Sequence, residues 1–476
     1  MFRRRSSTLL AATGSFEWCK DRLNPGLGRS HTLLIEKGQG SYLYTEDGKK
    51  FLDFGCGIGV TNFGHCHPRL VKVVKQQVDK LWHGQATFGV NTAVRDLLVE
   101  LEKILPASLT NTQLTSTGAE AVEAALKVSR QSTGRQNTVV LQGSFHGRSA
   151  ATSAMTTSKA VYARGQRPLM PGVISIPVPY PSQMHCPMDT DVEAMSKQCL
   201  AQAKDILNQS THPSEVSMLI AEPVLGEGGY YPLPKSYMLG LQSFCKENGI
   251  LFVIDEVQSG FGRTGTRFNF EQYGPEIDPD IVVFAKGIAN GLPLSGIAMK
   301  AQHAAALPPG SQGGTYAGNA IACASAAEVC KIMQEKGLFD NVAARSEQLI
   351  EGIKSFVVKH KFPVLEVRGR GLMVAIQLDL ECPAGTSGKL VNACTDNGLI
   401  VMNTSLYETL RLIPPLTVSE QEMSEALIAM EAAFTAVFKD IQVKASTSQF
   451  KPCCAMPCLN IDGAPKQTPC RYIGSS

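Results

Sequence analysis

Three apolar runs in this 476-residue chain end on an ionisable residue. "IVVFAK" ends on Lys286, "LFVIDE" carries Asp255 near its end, and "SMLIAE" ends on Glu222. A lysine held away from water loses its preference for the charged form and becomes a neutral nucleophile. A buried carboxylate needs a cationic or hydrogen-bonding partner. For Asp255 that partner is an ion pair with Arg263 or a metal, and Asp255 with Glu222 could be read as a magnesium site. The chain has no GxxxxGK[ST] loop to grip a nucleotide triphosphate, which disfavours that use.

Two further stretches bring other chemistry. "TSTGAEAVEAALKVSR" sets Ser116, Thr117, Gly118 and Ala119 ahead of a helical pattern. Free amides at such a helix start suit a phosphate, although a plain capping box reads the same. "GSFHGRS" places Phe145, His146 and Arg148 in an aromatic, basic loop, where a single histidine is more often structural than catalytic. Taken together, these are a lysine, a buried acid, a phosphate cradle and an aromatic loop. A phosphorylated aromatic heterocycle bound to the lysine as an imine would use all four, and pyridoxal 5'-phosphate is that cofactor.

The elements that must hold these residues alternate in type. Candidate strands at 112–116, 138–143, 172–177, 217–222, 251–256, 281–286 and 295–300 are separated by periodic apolar runs such as 119–132 and 236–249. This spacing predicts an α/β domain with a mostly parallel central sheet and helices on both faces. Ligands bind such sheets at the carboxyl ends of the strands, where Glu222, Asp255 and Lys286 fall. Residues 31–54 read as a small meander with a turn at Asp47-Gly48. The expected division is a terminus at 1–19, a first part of a small α+β lobe at 20–60, a large domain at 61–319, the rest of the small lobe at 320–442, and a tail at 443–476.

The composition narrows the class. A hydrophobic fraction of 43%, 18% charged residues and a net charge of +3 describe a globular chain. There is no dense basic stripe for nucleic acid and no apolar run long enough for a membrane span. Fourteen scattered cysteines suggest reduced thiols inside the cell. In the tail, Cys453, Cys454, Cys458 and Cys470 lie among Pro and Gly, which favours disorder over a structural zinc site. The start "MFRRRSSTLLAATGSF" has three arginines and no acid, the pattern of a transit peptide to the mitochondrial matrix. The alternative is an ordinary basic terminus on a cytoplasmic protein.

The motifs "GHCHP" (64–68), "GAEAVEAALK" (118–127), "FHGR" (145–148), "AEPVLGEGG" (221–229), "DEVQSGFGRTG" (255–265), "FAKGIANGLPLSG" (284–296) and "GGTYAGN" (313–319) follow one another in the order of a known family. Over about residues 20–440 the chain resembles the class III pyridoxal-phosphate aminotransferases of fold type I, closest to the 4-aminobutyrate branch. The resemblance implies Lys286 as the imine lysine and proton carrier, and Asp255 as the acid at the pyridine nitrogen. Glu222 would support the site. Gln258 would bond the phenolic oxygen, Val257 and Phe145 would pack on the two ring faces, and His146 belongs with the cofactor-binding residues. Gly118 and Ala119 would give amides to the phosphate, while Thr315 would reach the phosphate in a neighbouring subunit, making a homodimer with shared sites.

For substrates the resemblance implies an amino acid and a 2-oxo acid, with no metal. Arg411 would bind an α-carboxylate, Glu227 would pair with it as a switch when an ω-amino substrate is bound, and Arg148 would take the distal carboxylate. Ile58 stands where ornithine aminotransferases carry tyrosine, which speaks against ornithine. The implied reaction moves the amine of 4-aminobutyrate to 2-oxoglutarate, giving succinate semialdehyde and glutamate. The alternatives are acetylornithine transamination, a decarboxylase or aminomutase on the same scaffold, and a cofactor-free binding protein. "GIANGLPLSG" reads as a compact loop behind the lysine.

Overall fold

The computed structural model describes residues 13–404, 406–439 and 441. The first twelve residues of the expected leader, and the tail with its four cysteines, lie outside the described residues. Phe16–Arg22, at the end of the expected leader, is helical and capped by Ser15.

The central sheet has seven strands. In spatial order they are Asn111–Thr115, Ser295–Met299, Ile281–Phe284, Leu251–Asp255, Val216–Ala221, Asn137–Leu141 and Val173–Ile176. Ser295–Met299 runs antiparallel to both its neighbours; the other pairings are parallel, with registers such as Val253 to Ile281 and Val253 to Ile220. Three central strands are buried throughout, as their largely apolar runs require in a sheet covered on both faces. Alternate residues go to opposite sides. Met218, Ile220, Val253 and Val283 pack with Ala121, Val122 and Val128 of the helix Gly118–Thr133. Leu219, Phe252, Ile254 and Val282 pack with Leu207, Tyr237 and Leu241 from the helices Val192–Ser210 and Lys235–Asn248.

The termini meet in two smaller sheets. Ile35–Gln39, Tyr42–Thr45 and Lys50–Asp53 form the meander, with Gly48 at φ +80 in its second turn. Leu399–Ile400 adds alongside Lys50–Asp53, pairing Leu399 with Leu52. The second sheet is antiparallel, in the order Val364–Arg370, Met373–Leu378, Thr409–Leu412 and Met402–Thr404. Helices Leu338–His360 and Glu420–Phe438 pack against each other, the first also against Val364–Arg370. The helix Ala320–Met333 packs on Pro68–Val78 and Thr92–Glu102. It therefore sits with the helices of the preceding segment, although its residues fall in the 320–442 division. The first histidine of "GHCHP" acts locally, since His65 Nε2 meets Asp53 Oδ2 at 2.8 Å and ties that loop to the meander. Among the described residues no helix is long and apolar enough to cross a membrane, and no cluster of His, Cys, Asp and Glu could hold a metal.

Candidate active site

The carboxyl ends of the parallel strands open into a cavity of about 440 Å³. Lys286, Asp255, Glu222, Glu227, Val257, Gln258, Phe145, His146 and Arg148 line it, as do Ser116 to Ala119 at the start of the helix Gly118–Thr133. Strands far apart in the chain thus deliver most of the sequence-derived residues to one place.

The helix start faces the cavity and is closely capped. Thr117 caps the helix through a bond from the Glu120 amide at 3.3 Å, and the Glu120 carboxylate takes the amides of Ser116 and Thr117 at 2.8 and 3.1 Å. The capping box engages those donors, while Gly118 and Ala119, whose amides the first turn cannot bond internally, border the cavity. A Cβ at residue 118 would lie 3.2 Å from Val257 Cγ1, so glycine keeps the helix start open against the valine.

Asp255 is oriented on both oxygens. Oδ1 accepts the Val257 amide at 3.0 Å, and Oδ2 meets His146 Nδ1 at 2.7 Å. The Arg263 ion pair, one of the alternatives open for Asp255, is not formed. Arg263 instead donates to the Leu372 and Pro414 carbonyls and to Asn62, so it is a structural tie. Glu222 joins two loops, accepting the Phe145 amide at 2.7 Å and the Gly226 amide at 3.0 Å. Burial pushes its carboxyl up to about 7. Two buried polar atoms on the cavity residues, His146 Nε2 and Gln258 Oε1, have no hydrogen-bond partner among the described residues. Unpartnered buried polar groups beside a cavity mark where a polar ligand completes the site.

Lys286 follows the strand Ile281–Phe284 in the left-handed backbone region, at φ +49. Burial lowers its ammonium pKa to about 8, opposed by Glu227 and assisted by Arg411. Gly291, Leu292, Pro293 and Leu294 also border the cavity, so the loop read as lying behind the lysine forms part of the wall.

The residues expected to choose the substrate split into two groups. Arg411, buried on the strand Thr409–Leu412, donates from Nη1 to Glu227 Oε1. Desolvation opposes the charge on Glu227, yet Arg411 and Lys159 hold the carboxyl down to about 2. Arg148 is exposed at the cavity edge, with its guanidinium 5.8 Å from the Phe145 ring and 5.4 Å from the Tyr162 ring. By contrast, Ile58 is 40% exposed and outside the lining; Val60 is the residue of that segment that borders the cavity. Thr315 is exposed and does not line the cavity of its own chain. Tyr162, Lys159 and Thr404, which surround Glu227, went unremarked in the sequence. They lie on a short turn and an edge strand with no motif, and only the fold gathers them.

Residues 26–434 match the model of the family described as aminotransferase class-III. The chain is 35% identical over 419 residues to a 5-aminovalerate aminotransferase of Pseudomonas putida, covering 87% of this chain and 96% of the relative. It is 35% identical over 416 residues to a 4-aminobutyrate aminotransferase of Escherichia coli, with coverages of 86% and 95%. The fold matches an amine transaminase from an uncultivated Pseudomonas species in its PLP-bound form, with a TM-score of 0.80, 29% identity, and coverage of 87% of this chain and 98% of that one.

Proposed function

The chain belongs to the class III aminotransferase family, and on that premise we propose that it transfers the amine of a short ω-amino acid, 4-aminobutyrate first, to 2-oxoglutarate. The observation that carries this reading is the buried ion pair of Arg411 with Glu227, the carboxylate that lines the same cavity as Lys286. An arginine whose carboxylate partner is a side chain of the protein can serve two classes of substrate. Paired, it presents a neutral surface to the amine end of an ω-amino acid. Released, it presents a planar cation to an α-carboxylate. Arg148 at the cavity edge supports binding of the carboxylate at the substrate's far end.

The residues present fit pyridoxal 5'-phosphate. Gly118 and Ala119 would hold its phosphate, Val257 and Phe145 its two faces, Asp255 its ring nitrogen, and Gln258, through its side-chain amide, the phenolic oxygen. When bound, the cofactor supplies an electron sink for the charge left on the substrate carbon when its proton departs. Asp255, fixed by His146 and the Val257 amide, would set its carboxyl group against that ring nitrogen and favour a proton there. The Lys286 amine is depressed enough to be partly neutral near pH 8, as an acceptor and donor of the substrate proton must be. Glu222 orders the two loops that carry Phe145 and Glu227.

A homodimer with shared sites completes the reading. Trp82, Phe88, Val90 and Tyr316 are 65%, 92%, 73% and 69% exposed. The rings of His83 and Tyr316 touch, joining the segment after residue 80 to the loop of Thr315. A second copy covering this surface would explain the exposed apolar area. The basic amino terminus supports import into the mitochondrial matrix, testable by a reporter fused to the first 30 or so residues.

The test is a panel of amino donors with 2-oxoglutarate, scored by glutamate formed. We expect 4-aminobutyrate or 5-aminovalerate to lead; a large lead for N-acetylornithine would overturn the substrate assignment. Glu227→Ala is expected to slow the ω-amino half-reaction about tenfold more than the glutamate half-reaction, and equal losses would remove the switch role.

A further inference from the structure

The two oxygens of the Glu227 carboxylate face different partners. Oε1 faces Arg411. Oε2 accepts from the Tyr162 hydroxyl at 2.9 Å and from Thr404 Oγ1 at 3.0 Å. The Lys159 ammonium stands 3.9 Å from Oε2 and donates to Thr404 Oγ1 at 3.3 Å. This second set is a counter-charge with two hydroxyl donors, assembled from the turn Ala160–Tyr162, the residue before it, and the edge strand Met402–Thr404. It adjoins the site proper, since the Tyr162 ring meets Phe145 edge-on at 5.1 Å. Arg411 in turn has a buried Nε without an acceptor among the described residues, a donor its pairing with Glu227 leaves unused.

A substrate α-carboxylate can occupy Arg411 fully only if Glu227 lets go. A largely buried carboxylate that loses its cation is strongly disfavoured unless another takes its place. Lys159 is that other cation, already within reach. Resting on the switch role of Glu227, we propose that Lys159, with Tyr162 and Thr404, forms a second seat that holds the Glu227 carboxylate after it leaves Arg411. Lys159 is then a positioning residue. It acts through Glu227 and sets how readily the enzyme accepts α-carboxylate substrates, without touching the reacting atoms. The seat lowers the barrier to the glutamate half-reaction and leaves the ω-amino half-reaction, in which Glu227 stays on Arg411, nearly alone.

The test compares Lys159→Met, Lys159→Arg and Tyr162→Phe holoenzymes with the wild type. Each half-reaction is followed separately by single-turnover absorbance, with glutamate and with the best ω-amino donor. A second readout is calorimetric binding of 2-oxoglutarate to the resting holoenzyme, where no turnover follows. Lys159→Met is expected to lower the glutamate half-reaction kcat/KM about tenfold or more and to weaken 2-oxoglutarate binding comparably, with the ω-amino half-reaction within about threefold of wild type. Lys159→Arg should restore most of the loss, and Tyr162→Phe should show the same split in smaller measure. Equal losses in both half-reactions, a larger loss with the ω-amino donor, or no change overturns the proposal. If Lys159→Met does not fold, Lys159→Gln, which keeps a donor without the charge, reads the same split. Wild-type enzyme that takes no ω-amino donor, or Glu227→Ala that loses equally in both directions, defeats the functional reading and this proposal with it. A discriminating Glu227→Ala beside an unsplit Lys159→Met defeats the proposal alone.

Discussion

Two arginines stand in one row of the C-terminal sheet and hold the same loop, yet they do different work. Arg368 pairs across the sheet with Ala375, and Ala375 pairs with Arg411, so both guanidinium groups lie on one face with a small residue between them. Arg368 uses Nε and Nη2 on the Gly229 carbonyl, and Nη1 on Glu366 and Gln377. Arg411 holds Glu227, two residues earlier in that loop, and keeps an unpartnered Nε. A cation bonded on every nitrogen is a fixture of the fold. A cation with an idle donor, beside a carboxylate that has other partners, is what the proposed switch requires. Burial does not separate them, for Arg368 is 2% exposed and Arg411 is 4%. What separates them is how completely the donors are used.

The contrast can be broken most directly at the fixture. Arg368→Met would leave Glu366 buried without its cation and should cost about 3–5 kcal/mol of stability, measured by denaturant unfolding. The ratio of glutamate to ω-amino half-reaction rates in the folded fraction should not change. A changed ratio would make Arg368 part of the switch as well. At Arg411 the effect belongs chiefly to catalysis. Arg411→Met should slow the glutamate half-reaction by about a hundred- to a thousandfold, the loss expected for a paired, charge-assisted carboxylate contact. A loss no greater with glutamate than with 4-aminobutyrate would contradict the assignment.

The smallest expected effect is electrostatic. Lys286 has its pKa lowered to about 8 mainly by burial, with Arg411 contributing in the same direction. The neutral amine is the reactive form, so uptake of pyridoxal phosphate by cofactor-free protein should accelerate as pH rises through about 8. Removing Arg411 removes a neighbouring positive charge and favours the ammonium. Arg411→Met should therefore move the midpoint upward, by up to about one pH unit, whereas Arg368→Met should leave it in place. The rise of the cofactor absorbance across a pH series checks both.

The residues at the strand ends were more legible in the sequence than those that surround Glu227. Three adjacent strands of the large sheet are short, mostly apolar runs, and the ends of parallel strands share one edge, so Asp255, Glu222 and Lys286 could be placed together from the sequence. The capping pattern around Gly118 carried its own geometry. The partner of Asp255 could not be read in this way. Arg263 was near in sequence, but His146, 109 positions away, is near in space. Lys159, Tyr162 and Thr404 were silent for the same reason: a lysine before a short turn, a tyrosine within it and an edge-strand threonine have no period or motif. Only the packing of the C-terminal sheet against the loop 226–229 gives them a common target. Ile58 shows the converse, a residue prominent by motif that the fold turns outward.

The backbone at Lys286 has a consequence for how this protein could change over time. A side-chain-bearing residue held at φ +49 stores roughly 1–2 kcal/mol that glycine would not. The residue that the chemistry most needs thus occupies a position the fold would rather give to glycine. Glycine there would relax the backbone and remove the amine in one step, so a library ranked only by melting temperature would be blind to the loss of activity. Any campaign to harden this enzyme has to keep turnover in the selection.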